Sequence, residues 1–558
     1  MEQTLTKSQL NFFNLFNIDQ QESIVKASTI SIDNHKCCSD IDLNRYNNYD
    51  LTMYQDDVNQ SGLKQTWQNI IHYVLNNETK NKFLYWNNFA ELYEIGLALQ
   101  DKQAKKESGQ YYTPDDVALV MSNWFNSQVG DNICDVACGT GKLILTYLDL
   151  IGKENAINLI RAGKLYLYDL DDIALNICKT ILLLKYGKEL EPFIHAIHCD
   201  FLSKNIVLPE NCKVISNPPY AAVNTINSDW DKTDVVLNTK ELYSMFMEKI
   251  ITQSKSSVII TPYSFIGGNK FYSLRKIMNN YNGFIVSFDN VPGNIFCGRK
   301  HGIFNTNTSN SVRATITVVE NKDNFKGFKT TPLIRFKNEE RKKLLRTEVL
   351  ETFINNEYQI VSKDKPMYYK CAKELNDIWN VWQEKSNSRL GNFVSQYGQN
   401  IISMPNTCRY FTTATNGLMN RNGQIVLNIN DKDVFNYIYC LINSSFAYWY
   451  WRLFDGGITY SRGLLLNMPV FYDTLSENDK LFFRNVSNEM IENSNKYVVT
   501  KNNVGVQENI KFPSEYRNKI NERLLQVLDL DYIKSSIFDI VHSNCVFGEI
   551  KEWWLTNY

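Results

Sequence analysis

The chain has 558 residues, 44% of them hydrophobic, and a formal net charge of −1. That length is too great for one core and calls for about two to four domains. The near-zero charge supplies no field for a polyanion over the whole molecule, so any nucleic-acid surface must come from local clustering.

No apolar run reaches about 18 residues, so no membrane-spanning helix is expected. The opening "MEQTLTKSQLNFFNLFN" lacks the basic-then-apolar pattern of a secretory signal. The twelve cysteines are scattered, without a C-x-x-C pair. Reduced thiols in a cytoplasmic protein follow, with no membrane partner. The six histidines form no recognisable ligand set, and no metal is expected.

Residues 1–105 read as an N-terminal helical region, because "LKQTWQNIIHYVLNN" and "FLYWNNFAELYEIGLALQ" repeat apolar residues every three or four positions. From 106 to 330, short apolar strands alternate with helical patterns, which predicts an α/β domain on a mostly parallel sheet. The strands are "NICDVA", "KLYLYDL", "AIHCD", "CKVIS", "SSVIIT", "FIVSFD" and "RATITVVE". Charged residues 331–362 read as a linker or inter-domain helix. Residues 363–475 read as a mixed α/β domain, and 476–558 as a C-terminal helical region.

The first strand runs into "DVACGTGKL". Two glycines spaced by one residue allow a tight turn and a close backbone approach to a ligand. A phosphate loop would need a hydroxyl where Leu143 stands, and a dinucleotide loop a third glycine. Asp135 would also repel a pyrophosphate. A cationic, phosphate-free nucleoside, S-adenosylmethionine, suits a carboxylate there. At the next strand tip Asp169 is placed to accept ribose hydroxyls. After the third strand Asp200 is placed for an adenine amino group, with Phe201 against the ring. Each acid taken singly also reads as a solvated strand end or a helix cap.

The fourth strand ends in "NPPY". Asn217 and the carbonyl of Pro218 are two acceptors, held still by rings that fix φ. Two acceptors converging on an exocyclic NH2 pull its nitrogen toward sp3 and free the lone pair for attack on a methyl sulfonium. Pro219 completes the rigid turn, and Tyr220 offers a stacking face.

"GQYYTP", "DVACGTG", "YDLD", "CDFL" and "NPPY", in that order, resemble the gamma-ordered adenine-N6 DNA methyltransferases of restriction–modification systems. The resemblance covers residues 108 to about 320. It implies a Rossmann-like, class I S-adenosylmethionine-dependent methyltransferase domain. It also implies cofactor contacts from Tyr112, Thr113 and Pro114, and from Asp135, Cys138, Gly139 and Gly141, with catalysis by Asn217 to Tyr220. Thr113-Pro114-Asp115-Asp116 also reads as a helix start, with Thr113 as N-cap. "VPGNIFCGRKHGIF" is similar to the block that supplies an aromatic to the flipped base, which makes Phe296 the candidate; a core residue at a strand end is the other reading.

Residues 363–475, through "GQNIISMPNTCRYFTT", "FNYIYCLINSSFAYWYWRLFDGG" and "LLLNMPV", resemble in pattern a target-recognition domain of the specificity-subunit type. Double-stranded DNA is the implied partner, with a separate restriction or specificity subunit as a further one. Arg409, Arg452, Arg462 and the run Arg341-Lys342-Lys343 are candidate phosphate or base contacts. "FAYWYWRLF" reads either as part of that surface or as a buried aromatic helix.

Overall fold

The computed structural model describes residues 113–296, 312–320, 327–358, 360, 367–408, 410–501 and 506–543, with Gly62, Lys64, Gln65, Gln68 and Tyr93. The helical reading of 1–105, Tyr112 and Arg409 fall outside these residues, apart from those five positions. The chain divides into two compact units.

The first unit is built on an eight-stranded sheet. Its strands are β1 (Asn132–Val136), β2 (Leu165–Asp169), β3 (Ile194–His198), β4 (Cys212–Ser216), β5 (Ser256–Pro262), β6 (Asn282–Phe288), β7 (Ala314–Val319) and β8 (Gly327–Thr330). Their order is β3-β2-β1-β4-β5-β7-β6-β8. β1 to β5 pair in parallel, and β7 runs antiparallel between β5 and β6. This is the Rossmann-like α/β class that the alternating pattern predicts. β4 is buried at every position, and β1 at all but its first, as parallel strands covered on both faces must be.

Helices α1 (Asp115–Asn126), α2 (Lys142–Ile151), α3 (Asp172–Tyr186) and α4 (Leu242–Gln253) supply much of that cover. β1 has β2 on one side and β4 on the other. The loops leaving β1 and β4 therefore part in opposite directions and open a crevice at the strand tips. The G-x-G loop follows β1 and NPPY follows β4.

A buried lysine explains itself in this frame. Lys213, on β4, sends its ammonium to Phe125 O at 3.1 Å at the C-terminal end of α1. It also lies 4.6 Å from the centre of the Phe125 ring. Burial still pulls its pKa down to about 8.

Two expectations about local structure change. Thr113 does not cap α1: Pro114 is the N-cap, with no side-chain cap bond, because the Thr113 hydroxyl is turned to the NPPY loop instead. β8 has the polar sequence GFKT and no apolar run to announce it.

The second unit has a three-stranded antiparallel sheet, with β9 (Asn400–Pro405) between β10 (Thr415–Asn416) and β11 (Gln424–Ile429). Its helices include α5 (Lys432–Ile442), α6 (Ser445–Phe454), α7 (Glu477–Glu492) and α8 (Ser514–Val527). One core runs from Tyr369 to Phe538. Residues on both sides of position 475 thus share one hydrophobic interior within the second unit. The binding across that expected border is specific. Asn521 of α8 accepts the amide of Ser445 at 2.9 Å, and its own amide donates to Ser445 Oγ at 2.8 Å.

The segment read as a linker is shared between the units: 336–352 belongs to the first, 330–335 and 353–359 to the second. α6, which carries "FAYWYWRL", is buried along its length, so its aromatics are core. Arg452 is interior too, donating to the carbonyls of Leu333 and Gly456 at 3.2 Å each. Arg462, by contrast, is exposed. Among the described residues no helix is long and apolar enough to cross a membrane.

Candidate active site

The loop after β1 turns through Ala137, Gly139 and Gly141 at φ of 66°, 53° and 90°. A Cβ on Gly141 would lie 2.4 Å from Cys178 Sγ on α3, so only glycine fits there. The loop is fastened to β2 by its own amides. Ala137 and Cys138 donate to Tyr168 O at 2.9 and 3.0 Å, and Gly139 donates to Asp169 Oδ2 at 2.6 Å. The second Asp169 oxygen accepts from Asp171 N at 2.8 Å. Burial raises Asp169 to about 6, against the pull of those amides.

Asp135 lies under this loop, 1% exposed. Neither of its carboxylate oxygens makes a well-formed hydrogen bond among the described residues, and the backbone amide of Ile144 gives it only partial relief. Burial, followed by the charge of Asp169, pushes its pKa well above the carboxylate range. A buried acid so weakly provided with donors is costly unless something cationic relieves it. The Cys138 thiol, beside Cys178 and buried, is likewise raised and stays protonated.

β3 ends at His198, so Asp200 and Phe201 stand in the loop beyond it. Asp200 Oδ1 accepts from Leu202 N at 3.0 Å, and Oδ2 from the indole of Trp230 at 2.7 Å. Phe201 is held by Lys249 of α4, whose ammonium donates to the carbonyls of Phe201 and Ser203 at 2.8 and 2.7 Å.

At the tip of β4, Asn217 Nδ2 donates to Thr113 Oγ1 at 2.9 Å. This bond turns the side-chain carbonyl of Asn217 away from Thr113. The Tyr220 hydroxyl donates to Ile260 O at 3.1 Å, which fixes its ring. Phe296 meets that ring at 5.8 Å and 68°. A flat base cannot lie parallel to both rings as they stand.

A cleft of about 360 Å³ runs between these loops. Thr113, Cys138, Gly139, Asp169, Asp200, Phe201, Asn217 and Pro219 all line it. Pro114, Asp135, Gly141, Pro218, Tyr220 and Phe296 are not among its lining residues. Among the wall residues that the sequence does not single out are Trp230 and Lys142. Trp230, a lone aromatic in a polar loop ten residues after Tyr220, closes on Asp200. Lys142, directly after Gly141, is 6% exposed and ion-paired with Asp115. That pair ties the start of α2 to the start of α1.

Residues 86–389, more than half of the chain, match the family model N-6 DNA Methylase. The chain belongs to the N-6 DNA methylase family. Type II methyltransferase M.PstI of Providencia stuartii is 28% identical over 201 residues, 33% of this chain and 39% of that protein. The type I restriction enzyme MpnII methylase subunit of Mycoplasma pneumoniae is 26% identical over 147 residues, 24% and 25% of the two chains. The chain therefore spans between a quarter and two fifths of the length of these relatives. Among solved structures, the DrdV–DNA complex matches with a TM-score of 0.43 at 11% identity, over 88% of this chain and 73% of that one.

Proposed function

We propose that this protein is a site-specific DNA methyltransferase. It transfers a methyl group from S-adenosylmethionine to the exocyclic N6 amine of an adenine extruded from duplex DNA. The observation that carries the reading is the shared cleft: the loop after β1, the acid at the tip of β2 and Asn217 after β4 face one space of about 360 Å³. The buried, poorly satisfied carboxylate of Asp135, at the end of β1 just before that loop, suits a donor that is cationic rather than a phosphate ester. Asp169 keeps lone pairs for ribose hydroxyls beyond the two amides it accepts. Phe201 and Trp230 offer flat faces for an adenine ring.

When bound, S-adenosylmethionine supplies an electrophilic methyl on a sulfonium. The side-chain carbonyl of Asn217 and the backbone carbonyl of Pro218 accept the two N–H bonds of the target amine and aim its lone pair. Thr113 holds the Asn217 amide in that orientation. Tyr220 stacks on the extruded base, which offsets the few kcal/mol of unstacking. No strong base is needed, because the amine loses its proton readily once alkylated.

The test is to offer the purified chain labelled methyl donor with plasmid DNA, RNA and protein, and to digest each product. Label in N6-methyladenosine of RNA or in protein glutamine, with none in DNA, would refute the substrate. A second reading is favoured by the type I methylase subunits among the relatives. In it the chain is a modification subunit that borrows a specificity subunit, and methylates DNA only when that subunit is added.

A further inference from the structure

Arg341 reads from the sequence as a candidate DNA contact. In the structure it is 2% exposed and belongs to the first unit. Its guanidinium forks onto Asp116, with Nε to Oδ2 at 2.5 Å and Nη2 to Oδ1 at 2.8 Å. The other edge takes two backbone carbonyls, Asn294 O from Nη1 at 2.8 Å and Ile295 O from Nη2 at 2.6 Å.

These partners lie on the two segments that touch the NPPY loop. Asp116 stands three residues after Thr113, which receives the Asn217 amide. Ile295 precedes Phe296, whose ring meets Tyr220 and whose amide donates to Asn294 Oδ1 at 2.8 Å. A further contact holds the second segment down: Gly293 N donates to Phe336 O at 2.7 Å. A Cβ on Gly293 would come within 2.7 Å of that same oxygen.

We infer that Arg341 is a positioning residue for the target-base pocket, joining the Thr113–Asp116 segment that orients Asn217 to the Asn294–Phe296 segment that walls Tyr220. The inference rests on the methyltransferase reading above for its catalytic consequence. The planar fork is needed because four acceptors on two segments must be met at once. A lysine offers one point charge and cannot span them. A buried ion pair of this kind adds little net stability over an apolar replacement, so its value lies in geometry.

The test compares Arg341→Lys and Asp116→Asn with the wild-type full chain, well below the melting temperature of each. Deuterium exchange should rise about tenfold or more in both 113–118 and 291–296 of Arg341→Lys, with 165–186 unchanged. Turnover on DNA should fall about tenfold or more, with donor affinity within about threefold, since small misplacements of reacting groups are costly. Asp116→Asn, which keeps both carbonyl bonds, should loosen 113–118 but leave 291–296 near wild type. Unchanged exchange in both segments of Arg341→Lys, or normal turnover despite loosened segments, would overturn the inference. If the wild type transfers no methyl to DNA, the functional reading fails, while the exchange data still decide whether Arg341 joins the two segments.

Discussion

Asp135 should make donor binding pH-dependent, with a sign fixed by its burial. In the free protein burial, and after it the charge of Asp169, holds its pKa well above the usual value against a weaker pull from the Ile144 amide. A cationic donor favours the ionised form. Binding should therefore release a proton wherever Asp135 is still protonated in the free state. The association constant should rise with pH, with a slope of log Ka approaching about one per unit. Two unit charges about 5 Å apart at an effective dielectric of about 20 attract by about 3 kcal/mol, an upper bound on what Asp135→Asn removes. A loss of about 1–3 kcal/mol is about 5- to 150-fold in Kd. The gap between mutant and wild type should widen as pH rises, because the wild type gains charge and the mutant does not. Asp169, raised to about 6 by its burial, contributes a slope of its own in the mutant. Calorimetric titration with S-adenosylmethionine between about pH 5.5 and 8.5, in buffers of different ionisation enthalpy, reads both affinity and proton release. A wild-type profile as flat as that of Asp135→Asn, with equal affinities, would refute the placement of the donor's charge.

Asn217→Ala should leave melting temperature and donor Kd near wild type and cut turnover by about two orders of magnitude, because the loss falls on the transition state; steady-state rates on DNA check this. Trp230→Phe removes the indole bond to Asp200 and should weaken donor binding by about 0.5–1.5 kcal/mol, read by the same calorimetry. Lys213 has its pKa lowered to about 8 in the fold. Between about 8 and the unfolded value the unfolded chain holds more protons, so this residue's contribution to stability rises with pH across that window and is least below it. Melting curves of the wild type against Lys213→Met should show the wild type gaining as pH rises past about 8, and parallel curves would contradict this. Arg462→Ala, at an exposed position, should weaken DNA binding evenly across sequences and lower the salt slope by about one, measured by titration at several salt concentrations.

The sheet was legible because each of β1, β2 and β4 is a short apolar run that ends in a residue with its own chemistry: Asp135 near the end of β1, Asp169 at the tip of β2, Asn217 just past β4. Periodicity and local turn chemistry suffice for that. What stayed hidden depends on distance along the chain. Arg341 reaches Asp116 across 225 positions, and Trp230 reaches Asp200 across 30. No local pattern reports such a pairing. Charge misled for the same reason. Arg341 and Arg452 look like surface cations in sequence, yet Arg452 is buried on backbone carbonyls and Arg341 on Asp116 with two more. In the second unit, α7 and α8 carry enough charge to read as a separate tail. Their apolar stripes, Phe483, Val486 and Met490 on one and Ile520, Leu524 and Leu525 on the other, close the core begun by α5 and α6.

The central claim is tested most directly by incubating the purified chain, alone, with S-adenosylmethionine and unmethylated plasmid DNA, and then sequencing the product for modified bases. N6-methyladenine at one recurring site in the wild type, and none with Asn217→Ala, is the result predicted. Unmodified adenines with the wild-type chain, both alone and after a specificity subunit is supplied, would contradict the account.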